Sequence, residues 1–337
     1  MRKRLSIEYF AVLALILAGQ GCRNDIDLVL SSDPIPVVYG IISPDDSIHR
    51  IYLTQSINPM DSPGNLTAAP FVVTVPEADV FLELRTPEGL VIERSRLRRV
   101  QGLPRMEGIF RAEPNVHYEC AAMNIIDPAP GTMVLYTLTV ALSGNPHFLY
   151  AETEIPPEPS LQFGKGLHTH TPVNLFPEQT ENEISIYLPD TLWTEFHVVV
   201  HYFEKINQDW QHQSIRYKRN YPAVIRNSDT RTDHFNLDEG WFFTLIINNI
   251  KKDPLVQARR FDHMEFGVTY ASRAFNDYYR SIQYESDLDN SLYSNIVSGM
   301  GLFCASNSRH YSGFMLNPRS LDSLMNGICT RGLKFVE

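Results

Sequence analysis

Between residues 36 and 154 the apolar positions fall in short runs, many with a period of two, broken by Pro, Gly, Asp and Ser. "PVVYGIIS" (36–43) is a near-continuous apolar run of the kind expected in a buried strand. "HRIYLTQSI" (49–57) alternates, with Ile51, Leu53 and Gln55 on one side and Tyr52, Thr54 and Ser56 on the other. The "SPDDS" between them has the residues a hairpin loop demands. "ADVFLELRT" then sets Val80, Leu82 and Leu84 in register, and "TPEG" turns the chain into "LVIER". "GIFRAE", "VLYTLTVAL" and "FLYAETEI" complete about seven strands. Many short strands joined by such turns predict an antiparallel β-sandwich over 35–154.

"IPPEPS" (155–160) opens the clearest boundary, because its prolines stop regular structure and stiffen the chain, so 155–182 is read as a Pro-rich linker. A β-rich α+β domain is expected over 183–337. "EISIYLP", "EFHVVVHYF", "SIRYKRNY", "WFFTLIINNI" and "HMEFGVTYA" all look like strands, as do the later "GLFCAS" and "YSGFML". Phe275, Tyr278, Tyr279 and Ile282 recur instead at helical spacing, with Ser272 as an N-cap. "NPRSLDSLMNG" reads as a short helix with Pro at its start and Gly after its end. The expected fold is mainly β, with one or two short helices and no fixed-period repeat.

The N-terminus has a different pattern. Arg2, Lys3 and Arg4 precede an uncharged apolar stretch, Tyr9 to Gly19, which at about eleven residues is too short to span a bilayer. Gly21 lies directly before Cys22, the arrangement a lipoprotein signal peptidase cleaves, although Gly19 stands where a large aliphatic residue is usual. Residues 1–21 are therefore read as a lipoprotein signal peptide and 22–34 as an acidic tether. Two or three acyl chains on Cys22, at about 0.8 kcal/mol per buried methylene, make a lasting anchor. Removing Arg2, Lys3, Arg4 and Glu8 leaves 26 of the 29 basic and 38 of the 39 acidic residues, a formal charge of −12. Such an acidic chain has no electrostatic reason to bind nucleic acid or an anionic lipid surface. No other segment is apolar for eighteen successive residues.

"CRNDIDLVL" leading into "PIPVVYGIIS", with "SRAFNDYYRSIQ" and "LYSNIVSGMGLF" later, resembles the Bacteroidota lipoproteins grouped as domain-of-unknown-function family 4249. The resemblance covers nearly all of the mature chain and includes no catalytic signature. It implies an envelope lipoprotein, often encoded with TonB-dependent outer-membrane receptors. It also implies a first domain similar to carboxypeptidase-regulatory or transthyretin-like modules, and it implies no activity. Asp25 and Asp27 resemble the export signals that carry such lipoproteins to the cell surface.

The search for chemistry yields little. Five of the eleven histidines lie between 168 and 212. His168 and His170 would share one strand face, as would His197 and His201, an arrangement able to hold zinc. Satisfied surface histidines explain them as well, and no metal or cofactor is predicted. "SDLDNS" (286–291) and "SPDDS" (43–47) read as solvated turns, since neither has the Gly and bidentate Glu of an EF-hand loop. "GMG" (299–301) is too short for a phosphate cradle and reads as close backbone packing or a bulge. No nucleophile elbow, zinc-protease helix or phosphate loop is present. Cys120, Cys304 and Cys329 resemble no zinc motif. Cys304 and Cys329 could close a loop of about 25 residues for roughly 3 kcal/mol, but three buried thiols are the preferred reading. Trp193, Trp210 and Trp241 are the candidate binding aromatics, whereas Phe275 and Tyr279 are expected to fill core.

The function expected from these residues is a non-enzymatic protein, lipid-anchored to the outer membrane and facing the cell surface. It would serve as binding or accessory subunit of a TonB-dependent uptake system, for a ligand the sequence does not name. A surface adhesin or structural envelope protein is the alternative, with a hydrolase behind both. The anchor has a direct test. Cys22→Ala should abolish acyl labelling and membrane partitioning, and persistent acylation of the variant would overturn the assignment.

Overall fold

The alternation in the first two segments becomes a two-faced sheet. In β1 (Pro36–Ile42) and β2 (Ile48–Gln55), Val38, Ile42, Ile51 and Leu53 are fully buried. Tyr39, Ile41 and Tyr52 point the other way and are exposed. β1 is thus covered on one face only, contrary to what its unbroken apolar run suggested. The structure, a computed structural model, describes residues 35–55, 77–102, 115–123, 134–143, 148–177, 181–223, 230–283 and 293–337. All of these belong to a unit formed by residues 35–56 and 70–337. The segments "GIFRAE" and "SDLDNS", and residues 1–34 with Gly21, Cys22, Asp25 and Asp27, lie outside the described residues.

The protein is mainly β. After the first two strands come β3 (Ala78–Arg85), β4 (Val91–Gln101), β5 (Val116–Ala121), β6 (Leu135–Leu142) and β7 (Phe148–Glu154). β8 (Leu161–Phe163), β9 (Glu183–Pro189), β10 (Trp193–Ile206), β11 (Asp209–Tyr221) and β12 (Thr230–Asn236) follow. The chain continues through α1 (Glu239–Asn249), β13 (Ala258–Ala271), α2 (Arg273–Gln283), β14 (Met300–Phe314), α3 (Pro318–Asn326) and β15 (Phe335–Val336). One mixed sheet runs β11-β10-β13-β14-β1-β2-β5-β4-β3-β6-β7, with β15 added alongside β13, and a smaller sheet runs β12-β9-β8.

Several of these elements differ from the sequence reading, among them β8, β12 and β15, which it did not contain. "WFFTLIINNI", expected as a strand, is α1. The Asp238 side chain accepts from the Trp241 N–H at its start, and Phe242, Leu245 and Ile246 are buried at helical spacing. A continuous apolar run fits either period, so the cap decides. β5 was not foreseen at all; Tyr118 within it is buried. "GLFCAS" and "YSGFML" prove to be parts of one strand, β14. α3 begins as expected, with Asn317 capping the Ser320 N–H and Pro318 in its first turn.

Two hydrophobic clusters are built from the strands and the elements packed on them. One gathers Val38, Ile51, Leu82, Tyr136 and Leu138 from the early strands with Phe303 from β14. The other packs Phe196, Val198, Val200, Phe266 and Val268 of β10 and β13 against Ile184, Ile186 and Phe242. Within 155–182, Leu161, Leu167, Val173 and Leu175 are buried in the second cluster.

β14 belongs to both. Residues 300–305 pair in parallel with β1, and residues 306–314 pair antiparallel with β13. Where its first half lacks a strand on the second side, side chains substitute. Asn295 bonds both the Phe303 N–H and the Phe303 carbonyl, at 2.9 and 2.7 Å. Ser272 Oγ accepts from the Ala305 N–H at 3.3 Å and from Thr153 Oγ1 at 3.0 Å. That hydroxyl is therefore spent on β14, not on capping α2. The "GMG" segment is a close backbone approach as expected. A Cβ on Gly301, whose φ is +116°, would stand 1.9 Å from the Val38 carbonyl oxygen.

Two outcomes follow from this packing. Gly301→Ala should cost about 2 kcal/mol or more in urea unfolding, because strain and a backbone clash combine. Gly313→Ala, at φ +92° with nothing within 4 Å of the added Cβ, should show only the milder conformational cost. The second outcome concerns His49, which is fully buried and accepts the Met123 N–H at Nε2, 3.3 Å away. Burial pushes its imidazole below the ordinary value, partly offset by Asp46 and Glu93. The unfolded chain thus takes up the proton first, so stability is intact above about pH 6.5 and declines as pH falls below it. His49→Gln, which keeps an acceptor for Met123, should lose less stability than the parent between pH 7.5 and 5.5.

Candidate functional site

The exposed face of β1 and β2 forms the floor of a cleft, and α2 forms its wall. Asn276, the buried residue of α2, accepts the Ala223 N–H through Oδ1 at 2.8 Å and pins the helix down. Trp193, at the start of β10, packs edge-on against Phe275 with centroids 4.8 Å apart, and against Tyr279 at 5.8 Å. With those rings holding the helix, Phe275 and Tyr278 face Tyr39 and Tyr52 across a cleft of about 510 Å³. Arg50 and Asp46 supply its charged groups. Burial raises the Tyr39 phenol above its ordinary value, and the hydrogen-bonded Tyr278 hydroxyl adds to the effect. Aromatic rings with few polar groups suit a ligand that has an apolar face and a polar edge.

A second group lies on the outer face of β10, β11, β13 and β14. Residues of one face alternate along β10 as Glu195, His197, Val199, His201 and Phe203, and the opposite positions enter the core. His201 Nδ1 lies 3.1 Å from His212 Nε2 of β11, and its ring stacks on His263 of β13 at 4.4 Å. Burial lowers the His201 pKa from its ordinary value, and His263 and His212 add to this against Glu265 and Asp262. His197 instead lies near His310 of β14, with ring centroids 5.3 Å apart, and near Glu265. Glu195 stands beside His197. Burial would raise its carboxyl, but His197 and Lys218 together hold it below the usual range.

The residues singled out from sequence are scattered across the molecule. Trp193 is buried under α2. Trp241 packs edge-on against Phe235 and Tyr217 beside the core. Trp210 is exposed on the β10–β11 hairpin, with Arg260 5.2 Å and Lys205 6.0 Å from its ring centre. Phe275 and Tyr279, expected as core, are only partly buried, since Asn276 is the residue of α2 that goes inside. His168 and His170 are exposed between β8 and β9. Cys120, Cys304 and Cys329 are free thiols. Burial pushes Cys304 up to about 12 and Cys120 up to about 11, so both are inert at neutral pH, but only Cys304 is the buried thiol expected: Cys120 is half-buried and Cys329 is exposed.

Sequence reasoning missed Tyr39, Tyr52, His263, Glu265 and His310 as site residues. The alternation of β1 and β2 carried a signal for the first two. Nothing local connects His310 with His197, because their juxtaposition depends on the order of strands.

Together these features define a mainly β protein whose long mixed sheet bears an aromatic cleft and a histidine-rich outer face. The chain belongs to the family described as domain of unknown function (DUF4249), whose sequence profile matches residues 23–312. No curated protein matches it significantly in sequence. Two solved structures are similar to it only slightly. A DUF4785 family protein from Legionella pneumophila shares 12% identity at a TM-score of 0.22, covering 70% of this chain and 52% of its own. The C-terminal globular domain of an oligosaccharyltransferase from Pyrococcus abyssi shares 7% identity at 0.22, covering 84% and 50%. The chain spans about half the length of these structures, and a likeness this slight carries no argument about fold or activity. Among the described residues no helix is long and apolar enough to cross a membrane.

Proposed function

We propose that the protein is a non-enzymatic, lipid-anchored protein of the cell envelope that acts as binding or accessory subunit of a TonB-dependent outer-membrane uptake system. The acyl chains on Cys22 hold it at the outer membrane, and Asp25 and Asp27 direct it to the cell surface. The observation that carries the reading is the aromatic cleft. Tyr39 and Ile41 are 44% and 55% exposed in the middle of a sheet, where apolar side chains without a ligand or partner are costly to solvate. The resemblance to this family supports the same reading, since it implies an envelope lipoprotein of a kind often encoded with TonB-dependent outer-membrane receptors.

Anchoring makes a modest interface sufficient. Two proteins confined to one membrane plane meet at a raised effective concentration, so a cleft burying a few aromatic side chains can maintain association. A photo-crosslinking residue placed at Tyr52 in intact cells should capture a β-barrel receptor. Tyr39→Ala combined with Tyr278→Ala should abolish that capture without changing protein level. Repeated capture of no barrel, or capture unaffected by the double substitution, would overturn the proposal.

A further inference from the structure

Three adjacent strands present metal-ligating groups to one another. His197 on β10, Gly267 on β13 and His310 on β14 lie in one row across the sheet, and Glu265 stands two residues along β13 from that glycine. One ligand atom from each of His197, Glu265 and His310 can be chosen so that all three lie within 4.8 Å of one another. His310 Nδ1 is already 3.0 Å from Glu265 Oε1.

The glycine makes the arrangement feasible. A Cβ at Gly267 would be 2.1 Å from His197 Nε2, so the imidazole lies flat across a position that any other residue would fill. The ring is thereby turned toward β14. Its far nitrogen, Nδ1, is buried without a hydrogen-bond partner, and the Glu195 carboxylate lies 3.6 Å away. A carboxylate behind a ligating imidazole fixes the tautomer and raises the basicity of the nitrogen that faces the metal. Nε2 has a long contact, 3.4 Å, with Arg216, whose side chain is exposed.

We infer that His197, Glu265 and His310 form a binding site for a divalent transition-metal ion, with zinc the ion best matched to two imidazoles and one carboxylate. Tetrahedral ligation at about 2.0–2.1 Å puts donor atoms about 3.4 Å apart, so the widest separation has to close by up to about 1.4 Å. His310 and Glu265 are partly exposed and can make that movement, while His197 is held by the sheet. The same exposure leaves the fourth position open. Beside it, Ser306, Ser308, Arg309 and His310 border a shallow depression of about 630 Å³ that also reaches Asp45 and Asp46. The ion could therefore take a ligand from solution in addition to its protein donors.

The site is separate from the aromatic cleft and does not rest on the uptake reading. The test is titration of the full chain, stripped with a chelator, with zinc chloride, together with cobalt(II) absorption as a report of geometry. One ion should bind per chain, and cobalt should give the intense visible bands of a four-coordinate site. His310→Ala and Glu265→Gln, both at partly exposed positions, should weaken zinc at least about tenfold with unchanged circular dichroism. His168→Ala, on the exposed loop, should leave affinity unchanged. Absence of stoichiometric binding would overturn the inference. So would undiminished binding in the His310 and Glu265 variants, or loss of binding in His201→Ala alone, which would place the ion at the neighbouring imidazole stack.

Discussion

The long strand β14 is the constraint on which the rest of the sheet depends. Fifteen residues long, it leaves β1 as partner and takes up β13 without interruption of the backbone. A parallel and an antiparallel neighbour require different hydrogen-bond geometry along the same strand. The change is managed by Gly301, which lets β1 approach, and by Asn295 and Ser272, which satisfy the edge that no strand covers. Each buried backbone group left unpaired there would cost about 1–3 kcal/mol, a large share of the stability of an ordinary domain. The polar side chains around 295–305 are thus as much a part of the ladder as the strands.

Both candidate sites take their geometry from this strand. Its first half carries β1, whose outer face floors the aromatic cleft, and Ser272 ties the start of α2 to Ala305. Its second half carries His310 to the edge of β13, opposite Gly267 and one strand from His197. The connection after β13 is short: the chain enters α2 two residues after the strand ends. Helix, cleft and histidine face are therefore positioned by one stretch of β13, α2 and β14.

The legible part of this architecture was the local part. Strand periodicity marked β2, β3, β6, β7, β9, β10, β11 and β13 because each has one face in a core, and alternation survives wherever only one face is covered. It stopped short in particular ways. "LVIER" marked only the start of β4, because beyond it Leu97 is the buried residue and the arginines pair with Asp79, Glu83 and Glu119 on neighbouring strands, partners the segment does not contain. α1 is apolar enough to fit either period, and the decision rests on the single carboxylate of Asp238. The tryptophans stand out by rarity and size, yet size is what draws Trp193 and Trp241 into packing. Tyr39 and Tyr52 were visible as residues, but their partner wall, Phe275 and Tyr278, comes from more than two hundred positions away.

The histidine face remains the least economical feature of the sheet. A solvent-facing strand surface ordinarily carries threonine, lysine or glutamate in contact with water. Here His197 is 2% exposed, with only the Glu195 carboxylate 3.6 Å from its Nδ1, and Nε2 of His201 is buried without a hydrogen-bond partner. A buried nitrogen left unpaired costs about 1–3 kcal/mol, and Gly267 adds a residue with weak strand preference to the middle of β13. Replacing the group by threonine and valine would remove those costs and leave the core beneath unchanged. Local rules broken together, at one place, are characteristic of surfaces kept for a ligand and not for folding. The two halves of β14 therefore serve different ends. Near Gly301 the polar groups complete the ladder, whereas near His310 they oppose stability and present donor atoms that the fold itself does not need.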